Sequence, residues 1–241
     1  MGGRLARLGG LGVCALLLAT PPMRADTVTL GTAYSGNFKM LEAVGTGPYS
    51  VVQEGGGSVG GSSGNIAGNN VYFAYFYCVD IYTNANLGST YTSTYNTNAT
   101  INGSTVTAAG QVAWLMLHIA PTLTTQAQYQ GMQGLIWTLE NPTGSAKPVQ
   151  WDTADNSAAA TSYYNTYQSL LGGNTDSVSS LYWINPINPS TGVYTYQGFV
   201  ADTWTQIPEP STIALFGISL VAFAGMRRRG MAGVTGPHRR V

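Results

Sequence analysis

Val71-Tyr72-Phe73-Ala74-Tyr75-Phe76-Tyr77-Cys78-Val79-Asp80-Ile81 is the aromatic, apolar stretch on which the reading of this chain turns. It is set among Gly, Thr, Asn and Ser and carries the strongest strand signal in the sequence. At a side-chain period of two, Phe73, Tyr75, Tyr77, Val79 and Ile81 share one face, and Tyr72, Ala74, Phe76, Cys78 and Asp80 the other. Both faces are apolar enough to be buried, which predicts a central strand with Cys78 in the core. The only other cysteine, Cys14, lies in a segment read below as removed, which leaves one unpaired thiol in a chain with export signals.

Outward from that strand, charge is scarce and unevenly placed. Charged residues make up 8% of the chain, against roughly a quarter in an average globular protein. Between Asp26 and Gln206 two lysines, Lys39 and Lys147, face nine carboxylates, a net charge of −7. Two lysines supply no phosphate-binding patch, so a nucleic-acid partner is excluded as a reading. No spacing calls for a cofactor or a metal.

The two ends read as targeting segments. Arg4 and Arg7 precede an apolar run from Leu8 to Ala19, then Thr20-Pro21-Pro22 and the small residue Ala25. This predicts a secretory signal peptide over residues 1–25, cleaved after Ala25 or after Ala19, with Cys14 as part of its apolar run. At the other end, Ile207-Pro208-Glu209-Pro210-Ser211-Thr212 leads into an uncharged run over residues 213–224 and then Arg227-Arg228-Arg229. The run is short for a stable span, which predicts a transient inner-membrane helix with its arginines cytoplasmic. Pro208-Glu209-Pro210, the short apolar helix and the arginine cluster together resemble the PEP-CTERM sorting signal of Gram-negative bacteria. The resemblance implies that an exosortase recognises residues 207–229, cuts the chain from its anchor and passes it to the cell surface or extracellular matrix. Residues 230–241 form a basic tail longer than that family usually carries.

Residues 26–206 are enough for one domain with its own core. Short strands are expected at Thr27–Leu30, Met40–Val44, Tyr49–Gln53, Ser180–Ile184 and Val193–Val200. The Gly-rich stretch Gly55–Gly68 lacks the lysine of a phosphate loop and reads as flexible, and Thr83–Thr105 as an edge hairpin or exposed loop. Helical periodicity follows. Thr107 is placed to cap a helix running through Val112, Trp114, Leu115 and His118 to Pro121. Thr125-Gln126-Ala127-Gln128 forms a capping box for a second helix, stopped at Asn141-Pro142, and Asn156–Leu171 a third, closed by Gly172-Gly173. The order of strands, helices and strands predicts an α+β domain: an antiparallel β-sandwich or barrel with an inserted small helical subdomain.

On the second helix Gln133 sits on the apolar stripe with Tyr129, Ile136 and Trp137, where its amide needs a hydrogen-bond partner. Tyr77-Cys78-Val79 and Gln133-Gly134-Leu135-Ile136-Trp137 resemble the paired motifs of bacterial surface thioester domains, departing from them at Met132 and Leu135. The resemblance covers residues 71–200 and implies an internal thioester between Cys78 and Gln133. It also implies covalent attachment to an amine-bearing surface or matrix ligand, for adhesion or matrix cross-linking, without enzymatic turnover. Aromatic neighbours such as Trp137 would keep water from the bond. Beside it stands a plainer reading, in which Cys78 is a small buried hydrophobe and Gln133 bonds to backbone. His118 is read either as a base or as a cation favoured at a helix C-terminus, and Asp80 either as orienting a donor or as a solvated strand end. Cys78, His118 and Asn141 or Asp152 also follow the order of a papain-like protease, though a strand is the wrong place for an activated thiol. A non-reactive structural or glycan-binding matrix protein remains the alternative class.

Overall fold

The computed structural model describes residues 26–206 apart from 34, 35, 57, 203 and 204. The signal peptide, the sorting segment, its apolar run at 213–224 and the basic tail lie outside the described residues. In chain order the strands are β1 (Thr27–Thr29), β2 (Asn37–Glu42), β3 (Ser50–Gly55), β4 (Ser63–Ile66), β5 (Asn69–Tyr72), β6 (Phe76–Cys78) and β7 (Thr90–Asn96). There follow β8 (Thr100–Ile101), β9 (Ser104–Thr105), α1 (Ala109–Trp114), α2 (Gln126–Glu140), β10 (Val149–Trp151), α3 (Ala158–Leu171), β11 (Tyr182–Pro186), β12 (Phe199–Ala201) and β13 (Thr205–Gln206). Among the described residues no helix is long and apolar enough to cross a membrane.

Eight strands form one antiparallel sheet in the order β13-β5-β4-β1-β7-β11-β12-β6. Its middle is β7, paired with β1 on one side and β11 on the other. The polarity of Thr83–Thr105 suggests an edge or a loop, and the structure corrects this. Thr and Tyr suit a pleated surface, and alternate side chains at Tyr91 and Ser93 turn into the core.

The stretch Val71–Ile81 is not a single central strand. It divides into β5 and β6 at a bend over Phe73–Tyr75, and the two pieces lie toward opposite ends of the sheet. The partner chain segment divides too, since β13 pairs with β5 and β12 with β6 in one continuous register. At the bend the Tyr75 N–H donates to Asp202 Oδ1 at 3.2 Å, and the Asp202 N–H to the Tyr75 carbonyl at 3.1 Å. Both ends of the sheet are therefore tied by covalent chain, which curls it into a half-barrel. The aromatic residues fill the curl, with Phe73 and Phe76 rings 5.6 Å apart and Phe76 and Phe199 rings 4.7 Å apart. The expected burial of both faces holds for Phe76, Tyr77 and Cys78 but not for Tyr72 and Ala74, which are exposed.

The Gly-rich stretch is also structured where it was expected to be flexible. β4 lies within it, and Gly64 is packed so closely that a Cβ would fall 2.6 Å from the Tyr95 hydroxyl oxygen. The helical part agrees better with the sequence. Thr125 and Gln128 form the capping box of α2, and Asn141 ends that helix with two bonds to the Trp137 carbonyl. Ser157 caps α3, which ends at Gly172 with φ +48°. Thr107 is not a cap. Ala108, in the left-handed region at φ 54°, precedes α1, which passes into a wide π-type turn over Leu115–Ile119 and a 3-10 turn over Ala120–Thr122 at Pro121.

The helices pack on a second, three-stranded sheet, β10-β2-β3, rather than forming a separate subdomain. A run of packed rings links these layers: Trp137 of α2 stacks on Phe38 of β2 at 5.4 Å, Phe38 is tilted against Trp151 of β10 at 5.5 Å, and Trp151 stacks on Tyr164 of α3 at 5.1 Å. Two glycines of α2 make the close approach possible. A Cβ on Gly134 would lie 2.3 Å from the Trp151 ring, and one on Gly131 would lie 2.8 Å from the Tyr164 backbone nitrogen.

Helix propensity alone would make Gly131→Ala stabilising by about 1 kcal/mol. Here the added methyl meets the backbone of α3, which cannot yield as a side chain would, and overpacking of this kind costs about 1–3 kcal/mol. The expected outcome is a lower urea midpoint with an unchanged slope.

Candidate functional site

β6 ends the large sheet, so one of its edges has no strand beside it. Along its other edge it pairs with β12, and the Val79 N–H donates to the Gly198 carbonyl at 3.0 Å. By strand alternation the N–H and C=O of Cys78 point the opposite way, into the protein. The Gln133 side chain meets both. Its Oε1 accepts from the Cys78 N–H at 3.1 Å, and its Nε2 donates to the Cys78 carbonyl at 2.7 Å. A primary amide thus does the work of a neighbouring strand, at a place where an unpaired backbone group would cost about 1–3 kcal/mol.

Cys78 and Gln133 are both buried, at 4% and 0% exposure. The pair is walled by β12 on one side and by Trp137 and Gly56 on the other. A Cβ on Gly56 would lie 2.8 Å from Gln133 Cγ and 3.0 Å from the Trp137 ring, so only glycine allows this backbone to close over the amide. A cavity of about 390 Å³ opens onto Cys78, lined by Glu54, Gly55 and Gly56 of the β3 end, Asn84–Leu87, Gln197 and Phe199. Gln133 is therefore shut off from solvent, while Cys78 lines the cavity.

Burial pushes the Cys78 thiol well above its ordinary range, and Glu140, Asp80 and Glu54 add repulsion. A thiolate is disfavoured here. A thioester sulfur carries no charge, so the same burial does not penalise it. The two bonds hold the Gln133 carboxamide over the Cys78 peptide, away from solvent.

The other residues singled out from the sequence are distributed differently. Trp137 is fully buried beside the pair. Asp80 lies just beyond β6 and organises the following turn, accepting from the Tyr82 N–H at 3.0 Å, the Thr83 hydroxyl and Asn102 Nδ2 at 2.7 Å. His118 is not brought to the site. It is half exposed, stacks on Trp114 at 5.1 Å and pairs through Nε2 with Asp176 Oδ2 at 2.9 Å, which holds the Asp176 carboxyl below its usual range. Asn141 is spent on the helix end and Asp152 on the turn at Ala154 and Asp155, so the protease order assembles no triad. Glu54, Gly56 and Gln197 were missed. Gly56 was hidden in a run read as flexible, and nothing in the sequence sets Glu54 apart from the other carboxylates.

Several of those carboxyls are out of their ordinary range. Glu54 is raised to about 7, first by burial and then by the nearby Glu42 carboxylate, and Glu42 is raised by burial against the opposing pull of Lys147. Asp202, at the bend, is raised to about 6 by burial, which outweighs its bonds from the Tyr75 and Ala74 amides. Each group binds its proton more tightly folded than unfolded. Its favourable contribution is therefore complete below the unfolded value and is lost as pH rises through about 6 to 7. The melting temperature should fall between about pH 5 and pH 8, and Glu54→Gln should flatten part of that fall. A rising profile over this range would contradict the arrangement.

Comparison with known proteins bears on the C-terminus. Residues 206–229 match the family model described as the PEP-CTERM protein-sorting motif. Neither the curated proteins nor the solved structures gave a match, so the resemblance of the central domain to thioester domains has no support from that side. The chain carries a PEP-CTERM sorting signal, which implies export, recognition by an exosortase and processing at the cell surface.

Proposed function

We propose that the exported domain over residues 26–206 is a surface or matrix module that attaches covalently to amine-bearing partners through a thioester between Cys78 and Gln133. The observation that carries this reading is the Gln133 carboxamide, held by two hydrogen bonds on the backbone of the single free cysteine among the described residues. In the first step the Cys78 sulfur bonds to the Gln133 acyl carbon, the C–N bond breaks, and the thiol proton leaves with the nitrogen as ammonia. In the second a primary amine enters by the cavity at Cys78, its nitrogen takes the acyl group as an amide, and Cys78 recovers its thiol. The protein acts once, as a clamp, and not as a turnover catalyst.

A second reading has its own observation: the intact Gln133 amide already satisfies both backbone groups of Cys78, as a structural plug needs. The protein is then a non-reactive structural or glycan-binding matrix component delivered by the same signal. Intact mass separates the two. The exported protein should be lighter than its processed sequence by one ammonia, and should gain methylamine at Gln133 with release of a thiol at Cys78. Cys78→Ala should abolish both effects. Full mass with a titratable Cys78 in fresh unfolded protein would leave the plug as the account.

Delivery is tested separately. Glu209→Ala, within Pro208-Glu209-Pro210, should leave a larger membrane-held form, whereas the wild-type surface protein should lack residues 213–229. An intact C-terminus on the released protein would refute exosortase processing.

A further inference from the structure

In the cavity of about 390 Å³ that opens onto Cys78, Glu54 is the only other side chain among the described lining residues that can gain or lose a proton. The rest of the wall offers the amides of Asn37, Asn84, Asn86 and Gln197 with apolar or glycine surface, and no positive side chain is among them. Glu54 is brought there by the end of β3. At a period of two it shares a side of the strand with Gly56, the residue that closes over Gln133.

Two other carboxyls, Glu140 and Asp80, also act on the Cys78 thiol, but they line a different pocket. Asp80 is taken up by three donors, and the Glu140 oxygens are shut off from solvent. Glu54 is half-buried rather than sealed, so of the three it alone is open to a molecule entering over Cys78. The charged and titratable groups that face it are the Glu42 carboxyl of β2 and the Tyr82 hydroxyl, which donates to the Lys147 carbonyl at 2.8 Å. Lys147, whose charge acts on Glu42, lies over the Tyr82 ring at 4.4 Å.

Attack of an amine on the thioester proposed above, on which this inference rests, needs two proton transfers. A lysine-type amine holds its proton up to about pH 10.4, and an ammonium nitrogen has no lone pair to attack with. Burial disfavours a Cys78 thiolate, so the sulfur must leave with a proton. We propose that Glu54 carries both protons, and that it selects a partner presenting an alkylammonium group over one presenting a hydroxyl. Its carboxylate attracts the ammonium and takes one proton, and the freed nitrogen bonds to the Gln133 acyl carbon. The C–S bond breaks as Glu54 passes that proton to Cys78 Sγ, and the surplus proton on nitrogen leaves through the Glu54 carboxylate to solvent. The products are an amide, a thiol and one released proton. Burial and then Glu42 raise Glu54 to about 7, so that both its forms are populated at neutral pH.

The test follows methylamine uptake by the exported protein, read by intact mass between about pH 6 and about pH 9. With no proton acceptor in the cavity the rate follows the free-amine fraction and climbs about tenfold per pH unit throughout. With Glu54 in this role it should climb to about pH 7 and then level off. Glu54→Gln should restore the continuous climb and slow uptake at neutral pH by about 100-fold. Its uptake of hydroxylamine, a nucleophile uncharged at neutral pH, should fall far less. A wild-type rate that climbs to about pH 9 without levelling would overturn the role of Glu54 while leaving the thioester in place. Equal losses on the two nucleophiles in Glu54→Gln would do the same, since the effect would then be structural. Full sequence mass in the wild type would instead remove the thioester, and this role with it.

Discussion

The open edge of β6 is the constraint on which the rest of this structure depends. A strand that ends a sheet and is nevertheless buried must find partners for its outward N–H and C=O. At Cys78 Gln133 provides both from α2, while the Val59 N–H donates to the Phe76 carbonyl at 2.9 Å, so one side chain joins the helical layer to the half-barrel. The glycines around it follow from the same need. Gly131 and Gly134 let α2 approach α3 and Trp151, and Gly56 lets the chain close over the amide itself.

This joint is also a chemical juxtaposition. The same two hydrogen bonds bring the carboxamide of Gln133 to the backbone of the one free cysteine among the described residues. The low charge of the domain contributes, because a site with few solvated ions nearby is easier to keep free of water. Three of the nine carboxylates of residues 26–206 nonetheless lie close enough to act on it. Glu54, Asp80 and Glu140 all act on the Cys78 thiol, and each raises it further.

What lay open in the sequence was set by local rules. The capping box at Thr125 and Gln128, the stop at Asn141, the end of α3 at Gly172 and the burial of Cys78 follow from hydrogen-bonding side chains, backbone freedom and apolar pattern within a few residues. The spacing of Gln133 and Trp137 put the amide on the buried stripe, and the same reasoning said that it must be bonded. The C-terminal sorting signal was equally local, since it is one linear segment over residues 206–229.

Tertiary structure decided which strand lay beside which. Apolar content made Val71–Ile81 look central, yet burial at a sheet's end comes from curling and from covering helices, which periodicity does not record. β7 took the centre because pairing on both edges satisfies its backbone, and that gain is blind to the polarity of Thr and Ser side chains. His118 went to Asp176 because a π-type turn re-aimed the end of its helix, a change in hydrogen-bond step that no spacing rule foresees. The sequence by itself determined that Cys78 and Gln133 would be buried and that Gln133 would need a partner. That the partner is the backbone of Cys78 is a long-range pairing, fixed when α2 docked on the outer edge of β6.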